Sequence, residues 1–260
     1  MPSDKKFAVL IDADNISDKY LKLILDEISN DGVATYKRIY GDWTKPSFAA
    51  WKSVLLDNSL LPVQQYGYTS GKNATDSAMI IDAMDILYSG NVDGFCLVSS
   101  DSDFTRLAAR LRESGMYVVG MGEKKTPTAF IAACNKFKYL DILALAESKK
   151  AAEAQAESEQ AAVPAAEPAQ MTPLETIKQT ILTMVQENSD EDDWVFIGDI
   201  GNRLIKRYPD FDVRNFGFSK LTPFINSLDL FEIKSVHTRD SNNKLIYIRE
   251  KQQAQIKGKK

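Results

Sequence analysis

Two apolar runs, Phe7 to Ile11 and Phe95 to Ser99, constrain this chain more than any other feature. Each is short, and neither alternates apolar with polar residues. A strand of this kind must be buried on both faces, as happens in a parallel sheet sandwiched between helices. The intervening segments supply those helices. Ser17 to Ile28 places Tyr20, Leu21, Leu23, Ile24 and Ile28 at helical spacing, Ser47 to Leu56 reads as a helix, and Thr75 to Tyr88 is apolar over most of its surface, with Asp82 and Asp85 on its polar side. Val33 to Tyr40, Leu61 to Tyr66 and Tyr117 to Gly120 read as further strands. Phe104 to Ser114 and Pro127 to Phe137 read as further helices. Strands separated by helices predict βαβ units and an α/β fold with a mostly parallel sheet. Ligands of such folds gather outside the carboxyl ends of the strands.

The pattern changes after residue 146. Residues 147–171 are rich in Ala, Glu and Gln and then in Pro. They carry few side chains worth burying, so the expected domain of residues 1–146 is followed by a linker, helical at its start. Thr172-Pro173-Leu174-Glu175 has the cap, proline and glutamate of a helix start. Helices are expected over 174–185, 198–206 and 218–227. Strand-like runs over 230–236 and 244–249 are joined by a turn at Asp240-Ser241-Asn242-Asn243. Residues 172–250 thus predict a small winged-helix domain, with a basic tail over 251–260.

The first strand runs into Ile11-Asp12-Ala13-Asp14-Asn15, and the fourth into Ser99-Ser100-Asp101-Ser102-Asp103. Asp76 opens the helix that follows the third strand. Three segments therefore bring acids to one end of the sheet. Any one of these residues alone is an ordinary turn or cap residue. Together they repel one another, and a divalent cation relieves that cost. Hard oxygen ligands suit Mg²⁺ or Mn²⁺, and metal-assisted phosphodiester hydrolysis needs no histidine. That matters because the lone histidine, His237, lies far along the chain. Asp14 is a weaker candidate, and Asn15 fits a hydrogen bond to Asp12, a phosphate contact or a helix cap.

Composition removes other classes. No apolar run approaches the roughly 20 residues of a membrane span, and no signal-peptide core opens the chain, so the expectation is a cytoplasmic protein. Cys96 and Cys134 have no metal spacing and read as reduced core residues. No phosphate-binding Gly-rich loop ending in Gly-Lys-Ser/Thr occurs, and Gly120-Met121-Gly122 lacks the third glycine of a dinucleotide fingerprint. A small-molecule phosphatase with Asp12 as nucleophile stays open. The net charge is −4 and the pI about 5.2, which does not by itself favour nucleic acid. Residues 171–260 nevertheless carry 14 basic and 13 acidic residues, and four of the acids are packed into Asp190-Glu191-Asp192-Asp193. The remainder of that region is basic.

With these motifs in order, residues 7–143 resemble the NYN family of PIN-like nucleases, in particular its LabA-like branch. The matching stretches are Leu10 to Asn15, Lys72-Asn73-Ala74-Thr75-Asp76 and Ser99 to Phe104. The resemblance implies a Rossmann-like three-layer sandwich and Mg²⁺- or Mn²⁺-dependent cleavage of RNA. It makes Asp12, Asp76, Asp101 and Asp103 the metal-binding acids, with Asn15 in support. Ser100 stands where many relatives have glycine, and its side chain is expected to narrow the approach. Residues 172–249 are similar to the OST-HTH/LOTUS module, through Tyr208 to Phe211, Asn215 to Leu221 and Phe231-Glu232. That resemblance implies RNA binding. Arg203, Lys206, Arg207, Arg214 and Lys220 are the candidate phosphate contacts there, near Tyr208, Phe216 and Phe218, and Lys72 is the candidate in the first domain. A non-catalytic RNA-binding adaptor and a protein partner for the second domain are the competing expectations, and an exposed edge strand could support a homodimer.

Overall fold

The computed structural model describes residues 4–66, 74–155, 171–188, 194–237 and 244–251. The chain divides into two compact units, Met1–Met171 and Thr172–Lys260.

The first unit is built on six parallel strands: β1 (Lys6–Asp12), β2 (Val33–Gly41), β3 (Leu61–Gln64), β4 (Gly94–Val98), β5 (Tyr117–Gly122) and β6 (Lys136–Tyr139). Their spatial order is β3-β2-β1-β4-β5-β6. Phe7 to Ile11 and Phe95 to Val98 are all fully buried, as their unbroken apolar character requires. Side chains alternate between the two faces of β1. Phe7, Val9 and Ile11 pack with α1 (Leu21–Ser29), α2 (Ala49–Val54) and α6 (Leu140–Gln155), while Ala8 and Leu10 pack with α3 (Ala74–Ser89), α4 (Thr105–Glu113) and α5 (Thr128–Ala133). The result is the expected three-layer sandwich. Three of the expected helices begin with a 3-10 turn, at Asp18–Tyr20, Pro46–Phe48 and Ser102–Phe104.

One expectation fails. Residues 127–137 do not form a single helix, because α5 stops at Ala133 and β6 follows. The sequence Lys136-Phe137-Lys138-Tyr139 alternates cation with ring, which argues against a strand buried on both faces. Lys138 is nevertheless only 2% exposed. Its ammonium donates to the Glu27 carbonyl at 2.8 Å and pairs with Asp31 at 2.8 Å and Glu27 at 3.0 Å. A buried charge is tolerated only when it is paired in this way. α6 then carries the chain from Leu140 to Gln155, across the start of the expected linker. Residues 156–170 lie outside the described residues, as do Lys72, the turn Asp240 to Asn243 and the tail beyond residue 251.

The second unit contains α7 (Leu174–Asn188), β7 (Val195–Phe196), α8 (Ile197–Arg207), α9 (Leu221–Ser227), β8 (Phe231–His237) and β9 (Lys244–Glu250). The strands form an antiparallel sheet in the order β7-β9-β8, and helices with a small sheet make a winged-helix-like domain. α7 starts at Leu174, as the sequence suggests, and the Thr172 hydroxyl donates to Asp210 at 2.7 Å, tying the start of α7 to the segment after α8. A 3-10 turn at Val213–Phe216 precedes α9 and ends at Gly217, whose φ of 82° suits glycine.

Candidate active site

The strand order reverses between β1 and β4, and in open parallel sheets the crevice at that switch is where ligands bind. Asp12 is the last residue of β1 and is 0% exposed. Its Oδ2 accepts from Asn15 Nδ2 at 2.7 Å and from Ser99 Oγ at 2.8 Å, and its Oδ1 accepts from the Asp14 amide at 3.1 Å. Among the roles open to Asn15, the structure shows the bond to Asp12. Burial pushes the Asp12 carboxyl above its usual 3.8, the bonds from Asn15 and Ser99 oppose that rise, and the charge of Asp14 adds to it.

Ser99, just past β4, links two of the acids. Its hydroxyl donates to Asp12 and accepts from the Asp101 amide at 3.0 Å. Asp101 in turn caps the 3-10 turn, accepting from the Asp103 amide at 2.9 Å. The capping role and a place at the crevice therefore coexist in one residue. Ser100 turns its hydroxyl to the end of β5, where it accepts from the Glu123 amide at 2.9 Å. A β-carbon on Gly122 would lie 2.6 Å from the Ser99 carbonyl oxygen, so the ends of β4 and β5 approach closely only because that residue is glycine.

Asp76 lies in the first turn of α3 and is 8% exposed. Burial first, then the charges of Asp12, Asp101, Asp103 and Asp14, push its carboxyl up to about 6. The structure thus brings together the acids from β1, β4 and α3. Among the described residues, no three His, Cys, Asp or Glu side chains are gathered closely enough to cage an ion. The acids are electrostatic neighbours, not a preformed cage. Their chemistry is all-oxygen, which fits Mg²⁺ or Mn²⁺.

Two supporting residues escaped the sequence reading. Ser99 was legible only as a hydroxyl ending an apolar strand. Asp82 looked like part of the polar side of α3. It instead accepts hydrogen bonds from Arg38 and from the hydroxyl of Tyr40, clamping α3 to β2. Tyr40 is fully buried and stands in register with Asp12.

In the second unit, Arg203, Lys206 and Arg207 lie exposed on α8, and Lys220 is exposed just before α9. Arg214 is engaged by Asp212, with Nη2 2.7 Å from Oδ2 and Nε 3.0 Å from both carboxylate oxygens. The neighbouring rings are largely structural. Phe216 and Phe218 pack on Phe224 at centroid distances of 5.2 and 5.6 Å, and the Tyr208 hydroxyl lies 2.7 Å from Thr180 Oγ1.

The family model for the NYN domain matches residues 6–141, and that for the OST-HTH/LOTUS domain matches residues 172–242. A search of curated proteins found no match. Among solved structures, a protein of unknown function from Vibrio parahaemolyticus aligns at 18% identity and TM-score 0.46, covering 54% of this chain and 94% of its own. An uncharacterized protein from Nitrosomonas europaea aligns at 32% identity and TM-score 0.29, covering 38% of this chain and 91% of its own. Among the described residues, no helix is long and apolar enough to cross a membrane.

Proposed function

This chain belongs to the NYN domain family, and on that premise we propose that its first unit is a metal-dependent ribonuclease fed by an RNA-binding second unit. The observation that carries the reading is Asp12. It is fully buried at the switch point, both its oxygens are fixed by donors, and further acids converge on it. Asp12, Asp76, Asp101 and Asp103 would hold Mg²⁺ or Mn²⁺. A bound divalent ion supplies a water of lowered pKa and charge stabilisation for the leaving oxygen. The chain's own residues do the rest. Asn15 and Ser99 fix the Asp12 carboxylate, and Ser99 couples it to the Asp101 backbone. Asp82 holds the helix that carries Asp76.

Arg203, Lys206, Arg207 and Lys220 contact phosphates in this reading, and the covalent connection between the units raises the effective concentration of bound RNA at the acids. Arg214 contributes less, because Asp212 already neutralises it. Lys72, four residues before Asp76 in the sequence, is proposed as a phosphate contact from sequence alone. Calorimetric titration with Mn²⁺ tests the metal site directly. Wild type should bind, and Asp12→Asn combined with Asp101→Asn should not. Absence of Mn²⁺ binding to the folded wild type would remove the proposed site.

A further inference from the structure

The strands of the second unit have two unlike faces. On one, Val195, Phe231 and Ile248 are buried in the helical core, with Ile233 and Ile246 packed beside them. The register places the opposite side chains together: Glu232 stands across from Arg249, Lys234 from Tyr247, Val236 from Leu245, and Phe196 from Tyr247. Trp194, two residues before Phe196, shares their side. None of Trp194, Phe196, Val236, Leu245 or Tyr247 belongs to the core, and Val236 is 39% exposed. The Phe196 and Tyr247 rings lie 5.8 Å apart. The Lys234 ammonium stands 5.4 Å from the Trp194 ring centroid, and the Arg249 guanidinium 4.8 Å from it.

We propose that this outward sheet face is a stacking surface for unpaired RNA bases, with Trp194, Phe196 and Tyr247 as the platform and Lys234 and Arg249 beside the phosphates. The inference rests on the RNA-binding reading of the second unit and moves its main contact from α8 to the sheet. Rings alone would suit a protein as well. Two cations set against a ring on a flat face fit a base with its phosphate, because stacking accepts any base and the cations offset the phosphate charge. Charge is the smaller contributor. Arg249 also pairs with Glu232 at 2.6 Å, and Asp190-Glu191-Asp192-Asp193 immediately precedes Trp194 in the chain. Stacking therefore dominates the contribution of this face.

The test uses the full chain in EDTA with a fluorescein-labelled oligouridylate, followed by anisotropy. Trp194→Ala should raise Kd at least about fivefold, and Trp194→Tyr should keep most of the affinity. Lys234→Ala should make the slope of log affinity against log salt shallower than in wild type by about 0.7, as expected for the loss of one single-strand phosphate contact. Lys234 is exposed, so its variant reports even if Trp194→Ala folds poorly. If both variants bind like wild type while Arg203→Ala with Lys206→Ala loses binding, the RNA reading stands and the sheet face is overturned. If wild type binds no RNA, the recruitment reading itself fails and this inference falls with it.

Discussion

Ser99 gives the shortest physical link between the acids, since one hydroxyl serves the Asp12 carboxylate and the Asp101 amide. Ser99→Ala leaves the buried Asp12 oxygen short of a donor, and chemical denaturation should show a loss of about 1–3 kcal/mol. Ser99→Thr, which restores the hydroxyl, should recover most of it. Asp76 behaves in the opposite way. Its folded-state carboxyl is raised from 3.8 to about 6, so the ionised form costs stability. Below 3.8 the group is protonated folded or unfolded and costs nothing, the cost grows between 3.8 and about 6, and it is constant above. Asp76→Asn should therefore stabilise the metal-free protein by on the order of 1 kcal/mol at neutral pH and leave it unchanged at pH well below 3.8, read from melting curves in EDTA. A destabilised variant at neutral pH would show that the acids do not crowd as described.

Among the elements, β6 depends most on charge. Lys138→Met should cost about 3–5 kcal/mol, because it removes the buried cation that pairs with both Asp31 and Glu27 and leaves Asp31 with Lys136 alone of its two lysines. Burial pushes the Asp31 carboxyl up, but hydrogen bonds and charge from Lys138 and Lys136 outweigh it and hold the group below 3.8. That contribution is present above 3.8 and is lost as pH falls through the lower folded value. The stability gap between wild type and Asp31→Asn should hold at neutral pH and close in acid, as a pH series of denaturation midpoints would show. The same element marks where the sequence stopped being legible. Unbroken apolar runs identify β1 and β4, and with them the ends that carry Asp12 and Asp101. β6 hides because the partners of Lys138 lie more than 100 residues away, at positions 27 and 31, and local pattern cannot report them. Asp82 is opaque for the same reason, its partners being on β2. The acids themselves were legible because strand ends and helix starts are fixed locally.

For the whole molecule, two units with separate cores imply separable failures. Phe224 is fully buried among Phe211, Phe216 and Phe218, and Phe224→Ala should cost the second unit about 3–5 kcal/mol. Calorimetry should then show an earlier transition for that unit while Mn²⁺ binding by the first persists. A loss of both together would mean that the units fold as one. The most direct test of the central claim is cleavage of end-labelled single-stranded and hairpin RNA in Mn²⁺, Mg²⁺ or EDTA, with Asp12→Asn, Asp101→Asn purified in parallel. Cleavage by wild type should need the metal and vanish in the double variant. Equal cleavage by both proteins, or none by either, would contradict it.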